Sequence, residues 1–78
     1  MPDAMKSLAK RSLTIAGHRT SISLETEFWT ALAEAAKTQN KSLAALVGEI
    51  DQSRNDRNLS SAIRVWLFSR AKSNKSAP

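Results

Sequence analysis

Arg11-Ser12-Leu13-Thr14-Ile15-Ala16-Gly17-His18-Arg19-Thr20-Ser21-Ile22-Ser23-Leu24 is the stretch that decides the fold. Leu13 and Ile15 stand at odd positions with Ser12 and Thr14 between and before them, whereas Ile22 and Leu24 stand at even positions interleaved with Ser21 and Ser23. A strand turns successive side chains to opposite faces, so one unbroken strand cannot keep both apolar sets on the same side. The parity must break within Ala16-Gly17-His18-Arg19, and Gly17 most readily takes the turn or bulge that this requires. Two short strands satisfy the pattern, and so does an arm over 11–15 followed by one strand.

From Glu25 the period becomes helical. Phe28, Leu32, Ala35 and Ala36 line one stripe with Trp29 beside it, and Glu25 and Glu27 fall in the first turn, where the helix dipole favours negative charge. The spacing predicts a helix over 25–39 closed by Asn40 as a left-handed C-cap. A second helix follows over 42–52, with Ser42 as N-cap and Leu43, Leu46, Val47 and Ile50 at i, i+3, i+4 and i+7. The polar residues 53–57 read as a loop. Leu59, Ile63, Trp66, Leu67 and Arg70 mark a third helix over 59–72, capped by Asn58 or Ser60, and Phe68 leaves that stripe for the flank or a neighbouring chain. Residues 1–9 and 73–78 read as flexible tails around a single domain over 10–72.

The composition narrows the classes. A chain of 78 residues holds one small domain, and a core of that size supplies only about 3–5 kcal/mol of net stability without help. There is no Cys, and His18 is the only His, which removes disulfides, zinc fingers and thiolate chemistry together. Oligomerisation is the remaining route. No apolar run approaches the roughly 18–20 residues of a membrane span, and Met1-Pro2-Asp3-Ala4-Met5-Lys6 lacks the apolar stretch of a signal peptide. A cytoplasmic protein is expected.

The net charge of +5 is unevenly laid out, with +3 over residues 1–24, −3 over 25–51 and +5 over 52–78. A nucleic-acid contact is therefore sought near the basic ends, against the plainer reading of solvated charged faces. Helix 42–52 suits recognition poorly, since its non-core positions Ala44, Ala45, Gly48, Glu49, Asp51 and Gln52 carry no basic residue and the acids repel phosphate. Catalysis by a Ser-His-Asp set needs a concave scaffold that so thin a layer does not offer. A metal site fails for want of a second His, and Glu25 and Glu27 point to different sides of a helix. Neither an enzyme nor a cofactor is expected.

Taken as a strand leading into three helices, the chain is short of sheet. Such a strand has no ladder partner within its own chain, and its backbone groups, with Ile22 and Leu24, must be answered by another molecule. The same strand from a twofold mate is the economical answer. The antiparallel pair would bury one face on the helices and leave Arg19, Ser21 and Ser23 outward, in a ribbon whose width fits the DNA major groove.

Thr20-Ser21-Ile22-Ser23-Leu24-Glu25 with Phe28-Trp29 and Leu32, then Asn40-Lys41-Ser42-Leu43 and Leu46-Val47, resembles the ribbon-helix-helix domain of Arc- and MetJ-type bacterial repressors. Residues 11–21, with Phe28-Trp29 and Asn58-Leu59-Ser60-Ser61-Ala62-Ile63-Arg64, are similar to a small bacterial subfamily of that fold. The resemblance implies a mainly α homodimer with a short ribbon of intermolecular antiparallel strands, here with a third C-terminal helix. It implies base reading by Arg19, Ser21 and Ser23, and a phosphate clamp at Lys41, Ser42 and Leu43, where free N–H groups and a positive dipole end gather. Lys10, Arg11, Ser12, Thr14 and His18 are candidate additional DNA contacts, His18 also reading as an ordinary turn residue. Ile22, Leu24, Phe28, Trp29, Leu32, Leu46, Val47 and Ile50 would form the dimer core.

The expected function is sequence-specific binding of double-stranded DNA by a transcriptional regulator. One rival is a protein-interaction module, antitoxin-like or adaptor, whose third helix binds a partner. The other is a basic amphipathic helix over 59–72 lying on a membrane surface.

Overall fold

The computed structural model describes residues 8–76. Strand β1 (Leu8–Ile15) is followed by strand β2 (His18–Glu25) and by helices α1 (Thr26–Thr38), α2 (Leu43–Gln52) and α3 (Leu59–Ser76). The two strands pair antiparallel within the one chain. Only Ala16 and Gly17 connect them, at φ 53° and 83°, and positive φ at both central residues is the signature of a type I′ turn, whose twist matches that of the strands. Such a link sets Ile15 opposite His18, Leu13 opposite Thr20, Arg11 opposite Ile22 and Ala9 opposite Leu24. Opposed residues share a face of the sheet. The odd apolar positions of β1 and the even ones of β2 thereby fall on one side.

This corrects the expectation of a strand paired only with a twofold mate, because β1 supplies the ladder partner inside the chain. The reading of two strands holds over the reading of an arm. The pairing also takes in Leu8 and Ala9, which the sequence places in the N-terminal tail, and α3 continues past residue 72 to Ser76. Residues 1–7 and 77–78 of the expected tails lie outside the described residues.

The helices close beneath the ribbon. Ile15, Ile22 and Leu24 meet Trp29, Leu32, Ala35 and Ala36 of α1, Leu46, Val47 and Ile50 of α2, and Ala62, Ile63 and Leu67 of α3 in a single core. Ile22, Leu24, Leu32, Leu46, Val47 and Ile63 are fully buried in one chain. The residues expected to form a dimer core thus pack together without a second copy, Phe28 alone being only partly buried. Among the described residues no polar or charged residue is buried.

Helix α1 uses two faces. Trp29, Leu32 and Ala36 are buried in the core, while Phe28, Ala31 and Ala35 line a groove against α3. The expected order of Phe28 in the stripe and Trp29 beside it is reversed. Trp29 is 2% exposed and donates its Nε1–H to the carbonyl of Ala9 at 2.9 Å, a partner that strand β1 supplies.

Helix ends follow local chemistry. Asn40 sits at φ 57°, with Lys41 N–H donating to Ala36 and Asn40 N–H to Lys37, the bond pair of a Schellman C-terminus. Ser42 caps α2 by accepting from Ala45 N–H at 3.0 Å, and Asn58 caps α3 by accepting from Ser61 N–H at 2.8 Å.

The two glycines test this account in opposite directions. A Cβ at Gly17 meets nothing within 4 Å, so the cost of Gly17→Val is conformational, about 1–2 kcal/mol. At Gly48, inside α2, a Cβ meets the Ile15 side chain at an ordinary 3.6 Å, so Gly48→Ala should stabilise by about 0.5–1 kcal/mol. Urea denaturation of the two variants should shift the midpoint down and up respectively.

Candidate nucleic-acid interface

With one face of the ribbon on the core, the other is fixed by register. Lys10 stands opposite Ser23, Ser12 opposite Ser21 and Thr14 opposite Arg19. All are exposed except Ser23, which is half-buried. The hydroxyls of Ser12 and Ser21 approach to 3.4 Å at the centre, and Lys10 and Arg19 occupy diagonal corners, about 13 Å apart along the strands.

Several cations elsewhere are engaged: Arg11 lies 5.0 Å over the Trp29 ring, Lys41 pairs with Glu49, Arg54 with Asp51, and Arg64 with Glu25. Lys10 and Arg19 make no ion pair or hydrogen bond among the described residues. Their charge stands on the outer face of the ribbon with hydroxyls between.

Three anchors hold that face. On β1, Ala9 and Arg11 both turn inward to Trp29, one through its carbonyl and one through its guanidinium, which sets Lys10 outward between them. On β2, Ser60 of α3 donates its hydroxyl to the Ser23 carbonyl at 2.9 Å. In a two-residue hairpin, outward-facing residues carry their backbone groups away from the partner strand, and this bond occupies one of them. At the strand end, Arg64 donates from Nε to Glu25 at 3.0 Å and from a second guanidinium nitrogen at 3.4 Å. The Arg64 bond holds the Glu25 carboxyl below its ordinary pKa, with a smaller contribution from a backbone hydrogen bond at Glu25 itself.

Residues 8–71 match the family model described as ribbon-helix-helix domain. The chain belongs to the ribbon-helix-helix family. Neither the curated proteins nor the solved structures hold a match to it. Ribbon-helix-helix domains belong to DNA-binding regulators.

The sequence-derived contacts fall into three groups on this ribbon-helix-helix domain. Arg19, Ser21 and Ser23 share the outer face with Lys10, Ser12 and Thr14. Arg11 and His18 belong to the opposite face, Arg11 on Trp29 and His18 exposed at the hairpin tip across from Ile15. Lys41, Ser42 and Leu43 lie at the start of α2, where Lys41 is held by Glu49 and Leu43 is half-buried. There the N–H groups of Leu43 and Ala44 carry no hydrogen bond among the described residues, Ala45 and Leu46 being served by the Ser42 side chain and carbonyl.

Trp29, Ser60 and Arg64 were not legible as parts of the site. Ser60 had a signal, as the second candidate cap of α3. Because Asn58 takes that role, the Ser60 hydroxyl is left for β2.

Two outcomes follow for the ribbon-helix-helix scaffold. Ser42→Ala should cost about 0.5–2 kcal/mol in chemical denaturation through loss of the cap. Because folding lowers the Glu25 pKa, its contribution is complete above the ordinary carboxylate pKa and is lost as pH falls through the lowered value. Melting curves of Glu25→Gln recorded from neutral pH down to about pH 2 should therefore show a shallower acid limb than the parent.

Proposed function

We propose that this ribbon-helix-helix protein is a sequence-specific DNA-binding transcriptional regulator that acts as a homodimer, without a cofactor, by laying the outer face of β1 and β2 in the major groove. The observation that carries the proposal is a ribbon face of hydroxyls bounded by two cations that make no ion pair or hydrogen bond among the described residues. A two-stranded ribbon fits the roughly 12 Å width of that groove. Arg19 suits bidentate binding of guanine, and Ser12, Ser21 and Ser23 can donate to or accept from either kind of base pair.

Lys10, at the opposite corner, serves as a phosphate contact. The start of α2 supplies a second phosphate contact through the N–H groups of Leu43 and Ala44. Lys41 contributes less there than its position in the sequence implies, because Glu49 already neutralises it. Base reading and phosphate binding are thereby divided between the ribbon and a helix end, which fixes the register of the protein on the duplex.

The test is a pair of titrations at fixed salt, on duplex selected from random sequence and on scrambled duplex. Arg19→Ala should lose about 1–3 kcal/mol of preference for the selected site and change thermal stability by less than about 0.5 kcal/mol. Lys10→Ala should weaken both duplexes alike and reduce the salt slope by about 1. Lys37→Ala, at an exposed cation in the last turn of α1, should change neither quantity. Equal losses on both duplexes for Arg19→Ala would make Arg19 a phosphate contact, and no loss would remove recognition from the ribbon.

A further inference from the structure

Between α1 and α3 runs an open groove of about 760 Å³ whose apolar lining comes from Phe28, Ala31, Ala35, Val65, Leu67 and Phe68. That volume falls within the roughly 300–1,000 Å³ of small-molecule sites, where an apolar lining is joined by a few polar groups that select the ligand. None of the groove residues lies on the outer ribbon face, so the proposed DNA contacts make no use of it.

The charges on its two walls differ in what they are free to do. On the α3 wall both arginines are engaged: Arg64 holds Glu25 and lies 6.0 Å over the Phe28 ring, and Arg70 lies 5.8 Å over Trp66. On the α1 wall Glu27 and Glu34 are exposed and make no ion pair among the described residues. Glu27 accepts only a long 3.5 Å hydrogen bond from the neighbouring Thr26 hydroxyl, which leaves its charge uncompensated. Seven residues apart, the two carboxylates mark one edge of α1 at a spacing of about 10 Å. The charge left for a ligand is therefore negative, although the chain as a whole stands at +5. Phe28 and Phe68 add aromatic rings, whose faces attract cations.

We propose that the α1/α3 groove binds a lipophilic organic cation, a small molecule whose apolar body lies on Phe28, Val65 and Phe68 and whose charge is met by Glu27 and Glu34. Such a body covers Val65 and Phe68, which are 41% and 66% exposed while the rest of the apolar surface of α3 packs on the core. An anion would meet two like charges, and a neutral molecule would gain nothing from them. The inference goes beyond the proposed DNA binding and does not depend on it.

Tetraphenylphosphonium and tetraphenylborate, nearly equal in shape and opposite in charge, are the probes. Titrated at fixed salt into the isotope-labelled full chain, tetraphenylphosphonium should shift the resonances of Phe28, Val65 and Phe68 saturably and bind there about fivefold or more tighter than tetraphenylborate. General attraction to a chain of net charge +5 runs the other way, so the preference reports the groove. The double variant Glu27→Gln with Glu34→Gln should keep the parent's helical circular dichroism and bind tetraphenylphosphonium about fivefold or more weakly. Glu49→Gln, at an acid outside the groove that pairs with Lys41, should bind it as the parent does. Equal or tighter binding of tetraphenylborate, parent-like affinity in the double variant, or no saturable shift at the groove would each overturn the site. Phe68 cross-peaks between labelled and unlabelled molecules that persist at saturating probe would place a second copy in the groove and overturn it as well.

Discussion

The antiparallel pairing of β1 with β2 across Ala16-Gly17 is the constraint on which the other features depend. It converts two apolar alternations of opposite parity into one buried face, bringing Ile15, Ile22 and Leu24 together over the helices. In the same step it brings Lys10, Ser12, Thr14, Arg19, Ser21 and Ser23 together on the other face. A slip of one residue would exchange the faces, putting serines into the core and the apolar set into solvent. Core and candidate DNA surface are thus two consequences of one register.

Much of this was legible because it is local. The parity break between Ile15 and Ile22, the Asn40 and Ser42 punctuation, and the i, i+3, i+4, i+7 spacing of α2 each depend on residues close in sequence. The ladder partner was not legible in the same way, because parity requires a break but does not say whether residues 11–15 pair or trail as an arm. Trp29 shows a second limit. Periodicity placed Phe28 in the stripe, but the indole finds its hydrogen-bond acceptor at Ala9, twenty residues away, and that contact turns α1 so that Trp29 enters the core. The Ser60 bond to Ser23 and the Arg64 pair with Glu25 span still longer separations.

Charge shows why a tally misleads. Residues 52–78 hold the largest positive excess, at +5, yet Arg54 and Arg64 are paired with acids and Arg70 lies 5.8 Å over the Trp66 ring. The smaller excess near the N-terminus includes the two cations left available on the ribbon. Availability to phosphate or base depends on which cations the fold has already engaged, and that becomes visible only with the side chains in place.

The central claim, that the ribbon closes within one chain, is met most directly by isotope-filtered nuclear Overhauser measurements on a sample mixed from labelled and unlabelled protein. Ser12 and Ser21 face each other at a position without mutual backbone hydrogen bonds, where the Cα atoms of antiparallel strands approach to about 4.5 Å and the Hα protons give a strong cross-peak. This cross-peak should appear only within a single chain and be absent between labelled and unlabelled molecules. Its appearance between molecules would place the ladder partner in the twofold mate and contradict the account.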